Sequence, residues 1–324
     1  MSKKYLLELP VVQGTPTEQL PFPRDPEWSE LGKKPSWLRV KLRSGESYAK
    51  IQSMTEGLRL NTVCQEARCP NIFECWNEGT ATFMVMGDIC TRACGFCAVK
   101  TGKPDDLDQE EPEHVAEAVQ QMNLSHAVIT SVDRDDLKDL GSGHFAATIT
   151  AVKNRNPHTK VEVLIPDFQG KPEHLQTILK ARPDVLNHNT ETVPRLHRRV
   201  RTRARYEWSL GVLKQASQFR DEHFPEMFTK TGLMLGLGEG QEEVLGTIAD
   251  IRAQGTDILT IGQYMRPSLK HLPIERYWSP EEFDQLGQAA LEMGFKFVES
   301  GPLVRSSYHA GRHRRGALKT QETV

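Results

Sequence analysis

Short runs of apolar residues recur along the chain from about residue 80 onwards, and segments with a helical period separate them. Six of these runs predict β-strands, at Ala81–Gly87, His126–Val132, Lys160–Pro166, Asp184–Asn189, Thr229–Leu237 and Asp257–Tyr264. A further run, Phe295–Glu299, predicts either a seventh strand or an extra element at the sheet edge.

Helix signals lie between these strands. Residues 115–122 and 244–251 carry apolar side chains at helical spacing, and Gly255 stops the second stripe. The segment Ser279–Glu282 predicts a capping box with proline at the first helical position. Alternation of helices with strands that are apolar throughout predicts a parallel sheet covered by helices. The pattern alone fits a partial barrel and a doubly wound sheet equally well.

Composition narrows the class of protein. The chain has 324 residues, 38% of them hydrophobic, with a net charge of −2, so no overall charge attracts it to nucleic acid or a membrane surface. No apolar run approaches the roughly 20 residues that span a bilayer. Residues 1–13 lack the features of a signal peptide, which predicts a cytoplasmic protein in a reducing compartment, where structural disulfides are unexpected.

The six cysteines all lie between residues 64 and 97, in two triplets. The first triplet has CX4CX5C spacing and the second CX3CX2C spacing. Polar neighbours argue against cysteines packed as small hydrophobes, and a reducing compartment argues against disulfides. The first triplet is Cys64, Cys69 and Cys75, and the second is Cys90, Cys94 and Cys97.

Two kinds of metal site remain for these thiols. Zinc could occupy two Cys3His sites, but no histidine lies between Cys64 and Cys97 and the spacing is unusual for zinc. Iron–sulfur clusters accept thiolates at close, irregular loop spacings. Three thiolates on a four-iron cluster leave one iron open, as a catalytic site requires. The second triplet also follows the first predicted strand, where α/β folds place their chemistry.

The sequence of residues 90–97, CTRACGFC, resembles the signature of the radical S-adenosylmethionine superfamily. The first triplet, just upstream, is similar to the CX4CX5C motif of lipoyl synthases, and the resemblance extends roughly over residues 35–311. Further segments that resemble this family, in its order, are Thr130–Leu137, Val163–Gly170, Asn187–Thr192, Gly232–Glu239, Gly262–Tyr264 and Arg305–Tyr308.

The resemblance implies a partial (β/α)6 barrel with N- and C-terminal extensions. It divides the chain into an N-terminal extension (1–60), an auxiliary-cluster segment (61–79), the barrel (80–300) and a C-terminal segment with a basic tail (301–324). It also implies two 4Fe-4S clusters. One is held by Cys90, Cys94 and Cys97 and binds S-adenosylmethionine. The auxiliary cluster is held by Cys64, Cys69, Cys75 and a serine, with Ser307 the first candidate and Ser306 the second.

Four residues are expected to contact S-adenosylmethionine. Asn189 and Glu191 are the first candidates, because a carboxylate suits an ammonium or ribose hydroxyls and an amide suits polar edges. Ser131 is a third, and Phe96 could lie against the adenine. The alternative for Asn189 and Glu191 is a helix N-cap or a solvated loop.

The activity implied by the resemblance is radical insertion of two sulfur atoms at carbons 6 and 8 of a protein-bound octanoyl-lysine, with the auxiliary cluster as sulfur donor. No general acid–base pair is required and none is evident, so no catalytic residue is expected beyond the cluster ligands. The implied partners are octanoylated lipoyl carrier domains (E2 subunits of 2-oxoacid dehydrogenases and the glycine cleavage H protein) and an electron donor such as ferredoxin or flavodoxin. Neither nucleic acid nor a membrane is expected.

Rival functions differ in class. Another sulfur-inserting radical enzyme, such as biotin synthase or a methylthiotransferase, would share only the second triplet. A non-catalytic iron–sulfur electron carrier would not need some 200 residues of barrel after its cysteines. The arginines in residues 195–205 form the densest basic stretch, and a solvated surface is favoured for most of them over docking of an acidic carrier domain or nucleic-acid binding.

Overall fold

The computed structural model describes residues 34–38, 60–62, 71, 75 and 80–322. Seven parallel strands within these ranges form one sheet, in the order β2-β5-β6-β7-β8-β9-β10. The short strand β1 (Asn61–Thr62) pairs antiparallel with β2 at the edge. The parallel strands are β2 (Thr82–Val85), β5 (His126–Ser131), β6 (Lys160–Leu164), β7 (Val185–Asn187), β8 (Phe228–Leu235), β9 (Ile258–Gln263) and β10 (Phe297–Gly301). Cys64, Cys69 and most of the N-terminal extension lie outside the described residues.

Helices alternate with these strands as the sequence predicts. The strands β3 (Ile89–Cys90) and β4 (Lys100–Thr101) form a separate small parallel sheet after β2. The helices are α1 (Glu111–Gln121), α2 (Ser142–Arg155), α3 (Pro172–Lys180), α4 (Pro194–Val200), α5 (Tyr206–His223), α6 (Gln241–Ala253), α7 (Pro280–Glu292) and α8 (Ala310–Glu322).

Local signals account for the positions of several elements. The predicted capping box opens α7: the Ser279 hydroxyl accepts from Glu282 N at 3.2 Å, and Glu282 accepts from Ser279 N at 2.8 Å. The segment that could have been an edge element is a seventh parallel strand, since β10 pairs with β9 from Phe297 to Gly301. The six other predicted strands are all present, and each ends one or two residues earlier than predicted.

The apolar core lies between the sheet and its helices in two clusters. One involves β2, β5 and β6 with α1, α2 and α3, and the other involves β8 and β9 with α6 and α7. Burial of these faces removes apolar area from water and is the main favourable contribution to folding. The helices thereby hold the strands so that their carboxyl ends face one mouth.

Charged side chains are buried inside the sheet, although the strands read as apolar runs. Lys230 Nζ on β8 lies 2.7 Å from Glu162 Oε1 on β6, and His126 Nε2 on β5 lies 3.2 Å from Glu162 Oε2. β6 and β8 are not neighbours, so this contact requires the sheet to curve around the pair. The strand order and this contact together resolve the ambiguity towards a partial barrel.

The basic residues after Tyr308 lie in a helix. Residues 310–322 form helix α8, whose Ala317 packs against Val185, Phe228 and Ile258. These three are the first residues of β7, β8 and β9, so α8 covers the amino-terminal end of the barrel. The C-terminal segment is therefore both basic in composition and packed against the barrel.

Candidate active site

The second cysteine triplet lies on a loop that crosses the mouth of the barrel. The loop follows β2, and its tip is held by segments that follow β7 and β9. Gly95 N donates to Val200 O at 3.0 Å, and Leu272 N donates to Gly95 O at 2.9 Å. A Cβ on Gly95 would lie 2.8 Å from Leu272 Cγ, so glycine allows this close packing.

The three thiols of this loop share a half-buried environment. Burial raises the pKa of Cys90 to about 11 and that of Cys94 to about 12, and it also raises the pKa of Cys97. The proximity of the thiols to one another adds to the effect. Ionised thiolates here therefore require a strongly positive group, and an iron–sulfur cluster is such a group.

Backbone donors surround one of these sulfurs. Cys90 Sγ accepts from Arg92 N at 3.4 Å and from Asp133 N at 3.3 Å. Hydrogen bonds to ligand sulfurs are typical of iron–sulfur sites and influence their potential. Among the residues that the structure describes, no group of three His, Cys, Asp or Glu side chains is arranged to hold a single metal ion.

A buried guanidinium anchors the loop to the strand ends. Arg92 Nη1 lies 2.8 Å from Asp167 Oδ1, Arg92 Nε lies 2.8 Å from Asp135 Oδ2, and Asp133 Oδ1 is 3.3 Å from Nε. Burial raises the pKa of Asp133 to about 6, whereas Arg92 and Arg201 lower the pKa of Asp167 against the effect of burial. The aspartates after β5 and β6 thus hold the cluster loop in place.

The predicted cofactor contacts Ser131 and Asn189 carry unsatisfied polar atoms at the mouth. Within the described structure, Ser131 Oγ and Asn189 Oδ1 are buried without a hydrogen-bond partner. A buried polar atom left unpaired costs on the order of 1–3 kcal/mol. Such atoms at the ends of β5 and β7 are suited to bind polar groups of a ligand.

Glu191, the remaining polar residue predicted to contact the cofactor, is attached to β8. Its backbone has a φ of 71° and is held by β8, because Glu191 N donates to Gly232 O and Met234 N donates to Glu191 O. Burial raises the pKa of Glu191, and Glu191 in turn contributes to raising the pKa of Cys97. The carboxyl group therefore lies near the cluster loop.

The alternative assignment of Asn189 and Glu191 as helix caps is wrong. The N-cap of α4 is Val193, and no side chain caps that helix. Phe96, by contrast, packs against the second core cluster, so part of its ring is used to attach the loop to the barrel.

The C-terminal motif lies beside the segment that carries the first triplet. Asn71 Nδ2 donates to Leu303 O at 2.8 Å, and Cys75 N donates to Asn71 O at 3.0 Å. A short loop connects Leu303 to Ser307. The carbonyl oxygen of Ser307 accepts a hydrogen bond from Ala310 N at the start of α8. Cys75 and Ser307 therefore belong to segments that touch, although some 230 residues separate them.

The arginine stretch divides into buried and exposed members. For Arg201, the solvated surface favoured by the sequence is wrong: it is buried, its Nη1 donates to Asn189 O at 3.0 Å, and its Nη2 lies 3.7 Å from Asp167 Oδ2. Arg195 pairs with Glu243 at 2.7 Å on the surface. Thr202 and Arg203, which follow Arg201, have no positive φ, so this turn needs no glycine.

Arg92 is the main functional residue that sequence reasoning missed. Its position inside the cysteine triplet was visible, and so were the aspartates at the ends of β5 and β6. What connected them was the order of the strands, because β2, β5 and β6 are neighbours in the sheet and their carboxyl ends lie around one guanidinium.

Comparisons with known proteins agree with this geometry. Residues 84–251 match the family model of the radical SAM superfamily, and residues 24–69 match that of the N-terminal domain of lipoyl synthase. The chain is 53% identical to a lipoyl synthase of Rubrobacter xylanophilus, with 95% of each chain covered. It is 51% identical to a mitochondrial lipoyl synthase of Nematostella vectensis, with 93% of this chain and 99% of the relative covered.

Solved structures match this chain in fold alone. The crystal structure of Streptococcus suis SuiB bound to S-adenosylmethionine matches with a TM-score of 0.52 and 10% identity, covering 78% of this chain and 59% of that one. The hydrogenase maturase HydG matches with a TM-score of 0.50 and 13% identity, covering 89% and 73%. Identity above 50% over nearly full length sets aside the electron carrier and the other sulfur-inserting enzymes. The chain therefore belongs to the lipoyl synthase family of the radical S-adenosylmethionine superfamily.

Proposed function

We propose that the mouth of the barrel binds a 4Fe-4S cluster through Cys90, Cys94 and Cys97. Support comes from the three adjacent thiols, whose raised pKa values require a positive partner. Ser131, Asn189 and Glu191 bind the polar groups of S-adenosylmethionine beside it, and Phe96 borders the adenine. The single observation that carries this assignment is the pair of buried, unpartnered oxygens of Ser131 and Asn189 next to the cluster loop.

The enzyme inserts two sulfur atoms at carbons 6 and 8 of a protein-bound octanoyl-lysine and forms lipoyl-lysine. The carbons of an octanoyl chain are unactivated, so no side-chain base or nucleophile can replace their hydrogens. When bound, the mouth cluster and S-adenosylmethionine supply the radical chemistry, and the auxiliary cluster supplies the sulfur. The chain's own residues bind, orient and shield these groups, and no acid–base residue is assigned beyond the ligands.

We further propose Cys64, Cys69, Cys75 and Ser307 as ligands of the auxiliary cluster, with Ser306 the alternative serine. The Asn71–Leu303 hydrogen bond supports it, because it joins the segment of Cys75 to the loop of Ser307. A serine oxygen is a harder ligand than a thiolate and is poorly matched to iron in a sulfide-rich cluster. Such a bond is suited to a cluster that must be opened for each product.

The chain acts on lipoyl carrier proteins. As specific carriers we propose E2 subunits of 2-oxoacid dehydrogenases and the glycine cleavage H protein, and as electron donor a ferredoxin or flavodoxin. Within the described ranges, no helix is long and apolar enough to cross a bilayer. We propose a cytoplasmic location because thiolate ligands require a reducing compartment. The division into segments 1–60, 61–79, 80–300 and 301–324 is part of the same proposal.

The test is anaerobic turnover of the reconstituted protein. Reductant, S-adenosylmethionine and a peptide with octanoyl-lysine are added, and mass spectrometry follows the peptide. We expect a gain of two sulfur atoms with two cofactors cleaved for each product. Substitution of Cys90 by alanine should abolish cofactor cleavage, and substitution of Cys75 should abolish only sulfur insertion. Cleavage without sulfur gain by the wild-type protein would contradict the assigned reaction.

A further inference from the structure

Four cationic side chains lie on the surface that covers the cluster loop. Arg198, Arg199, Arg203 and Lys270 are all exposed, and we call them the basic rim. Within the described residues, one ion pair involves the rim: Arg199 Nη2 lies 3.4 Å from Glu275 Oε1. The rim therefore keeps a positive charge, although the chain as a whole has a net charge of −2.

Hydrogen bonds connect the chain neighbours of the rim residues to the residues on either side of Cys94. Thr202 Oγ1 donates to Ala93 O at 3.3 Å, and Gly95 N donates to Val200 O at 3.0 Å. A ring nitrogen of His271, next to Lys270, lies 2.9 Å from Cys97 O. One hydrogen bond and two residues, Thr202 and Ala93, thus separate Arg203 from the ligand Cys94.

Most of the rim and the auxiliary segment follow different strands of the sheet. The segments of Cys75 and Ser307 meet where Asn71 bonds Leu303, after the edge strand β10. Helix α4, which carries Arg198 and Arg199, follows β7 in the middle of the strand order, whereas Lys270 follows β9, beside β10. We expect a carrier domain to present its lysine at the auxiliary segment, which leaves the α4 part of the rim to a different partner.

We infer that the basic rim is the docking surface of the electron donor, a small electron-transfer protein with an acidic face. The inference rests on the proposed function, in which each S-adenosylmethionine cleaved consumes one electron. The donor loses one electron and the cluster held by Cys90, Cys94 and Cys97 gains it. Electron transfer between proteins weakens steeply with distance, and the rim offers a short path, while opposite charges speed association and orient the partner.

The experiment compares two reductants and two substrates on the reconstituted full-length enzyme. Flavodoxin reduced by its NADPH-dependent reductase is the docking donor, and dithionite is the small reductant that needs no docking. Each is used with an octanoyl-lysine peptide and with an intact octanoylated carrier domain. The test variant is R198E/R203E, and the matched control is K180E/K214E, which makes the same charge change on exposed positions of α3 and α5.

We expect R198E/R203E to lower the flavodoxin-driven rate at least about tenfold at low ionic strength, with both substrates. The dithionite-driven rate should stay within about twofold of wild type, and added salt should narrow the difference between the two proteins because it screens exposed charges. The control variant should behave as wild type with both reductants. R198K/R203K, which keeps the charge, should retain the flavodoxin-driven rate.

Three results would overturn the inference. One is an unchanged flavodoxin-driven rate in R198E/R203E. Another is a loss with either reductant that is confined to the intact carrier domain, which would assign the rim to the carrier. The third is an equal loss with dithionite and the peptide, which would mean a damaged cluster loop. A wild-type enzyme that makes no product with dithionite and peptide would refute the proposed function. That result would not decide the docking surface, which calorimetry of flavodoxin binding tests separately.

Discussion

Glu191 combines several unusual features in one residue. Its backbone is left-handed, its carboxyl pKa is raised by burial, and it lies beside the cluster loop. Unfavourable backbone conformations persist where the surrounding structure imposes them, and they concentrate at functional sites. A bound ammonium group would favour the ionised carboxylate and offset the effect of burial.

The substitution E191Q should therefore weaken S-adenosylmethionine binding by about tenfold or more, because a hydrogen bond to a charged group contributes about 1.5–3 kcal/mol. Equilibrium binding to the reconstituted, oxygen-free protein measures this. E226Q, at an exposed position between α5 and β8, is the matched control and should bind as wild type does. Wild-type affinity in E191Q would remove Glu191 from the cofactor site.

Ser307 and Ser306 can be separated in the same way. We expect S307A to retain S-adenosylmethionine cleavage but to lose sulfur insertion, since the auxiliary cluster would lack its oxygen ligand. S306A should retain both activities within a few-fold. Mössbauer spectra of the two variants report the auxiliary iron site independently of turnover. The reverse pattern would assign the ligand to Ser306.

At the scale of elements, strand β8 carries a glycine, Gly232, where a side chain would crowd Asn189 at the mouth. A Cβ on Gly232 would lie 2.9 Å from both Asn189 Oδ1 and Thr260 Oγ1. The absence of a side chain on β8 therefore leaves room for Asn189 after β7. Element spacing alone does not show this, because Gly232 and Asn189 come from different βα units.

The substitution G232A should displace Asn189 and lower the affinity for S-adenosylmethionine several-fold, while the iron content stays at the wild-type level. Iron and sulfide analysis together with equilibrium binding provide the two readouts. G211A on α5 is the control, because a Cβ there would meet no atom within 4 Å and alanine favours a helix. Unchanged affinity in G232A would show that the space is not needed.

At the scale of the whole molecule, the barrel encloses the buried pair Lys230–Glu162. Lys230 and His126 hold the pKa of Glu162 below its usual value, although burial opposes ionisation. A buried ion pair contributes little net stability compared with apolar residues, but removal of one partner leaves an uncompensated charge. Stable folding therefore requires the sheet to curve, because only then can Lys230 on β8 pair with Glu162 on β6.

K230M should lower the free energy of unfolding by about 3–5 kcal/mol, because Glu162 would remain buried without its cation. K230M/E162Q should recover part of this loss. Urea unfolding of the oxygen-free protein, followed by circular dichroism, measures both. K214M on the exposed face of α5 serves as the control and should change stability little. Equal stability of K230M and wild type would show that water reaches Glu162.

The sequence by itself determined the order of strands and helices, because hydrophobic period and capping signals act within one element. It also predicted the second cysteine triplet as a metal site, since its spacing lies within one loop. The choice of a partial barrel and the assignment of Ser307 needed the family resemblance. The first triplet is predicted on spacing and resemblance, and only its Cys75 lies within the described residues.

Only the tertiary structure decided which distant side chains meet. The three carboxylates around Arg92, the burial of Arg201, the Lys230–Glu162 pair and the position of α8 were not predicted. Each depends on how the βα units are arranged in space: the carboxylates around Arg92 follow neighbouring strands, whereas Lys230 and Glu162 lie on strands that are not neighbours. Local sequence patterns indicate which face of a segment is buried and which is exposed to solvent. A charged residue buried by partners from other βα units looks, in sequence, the same as one exposed to solvent.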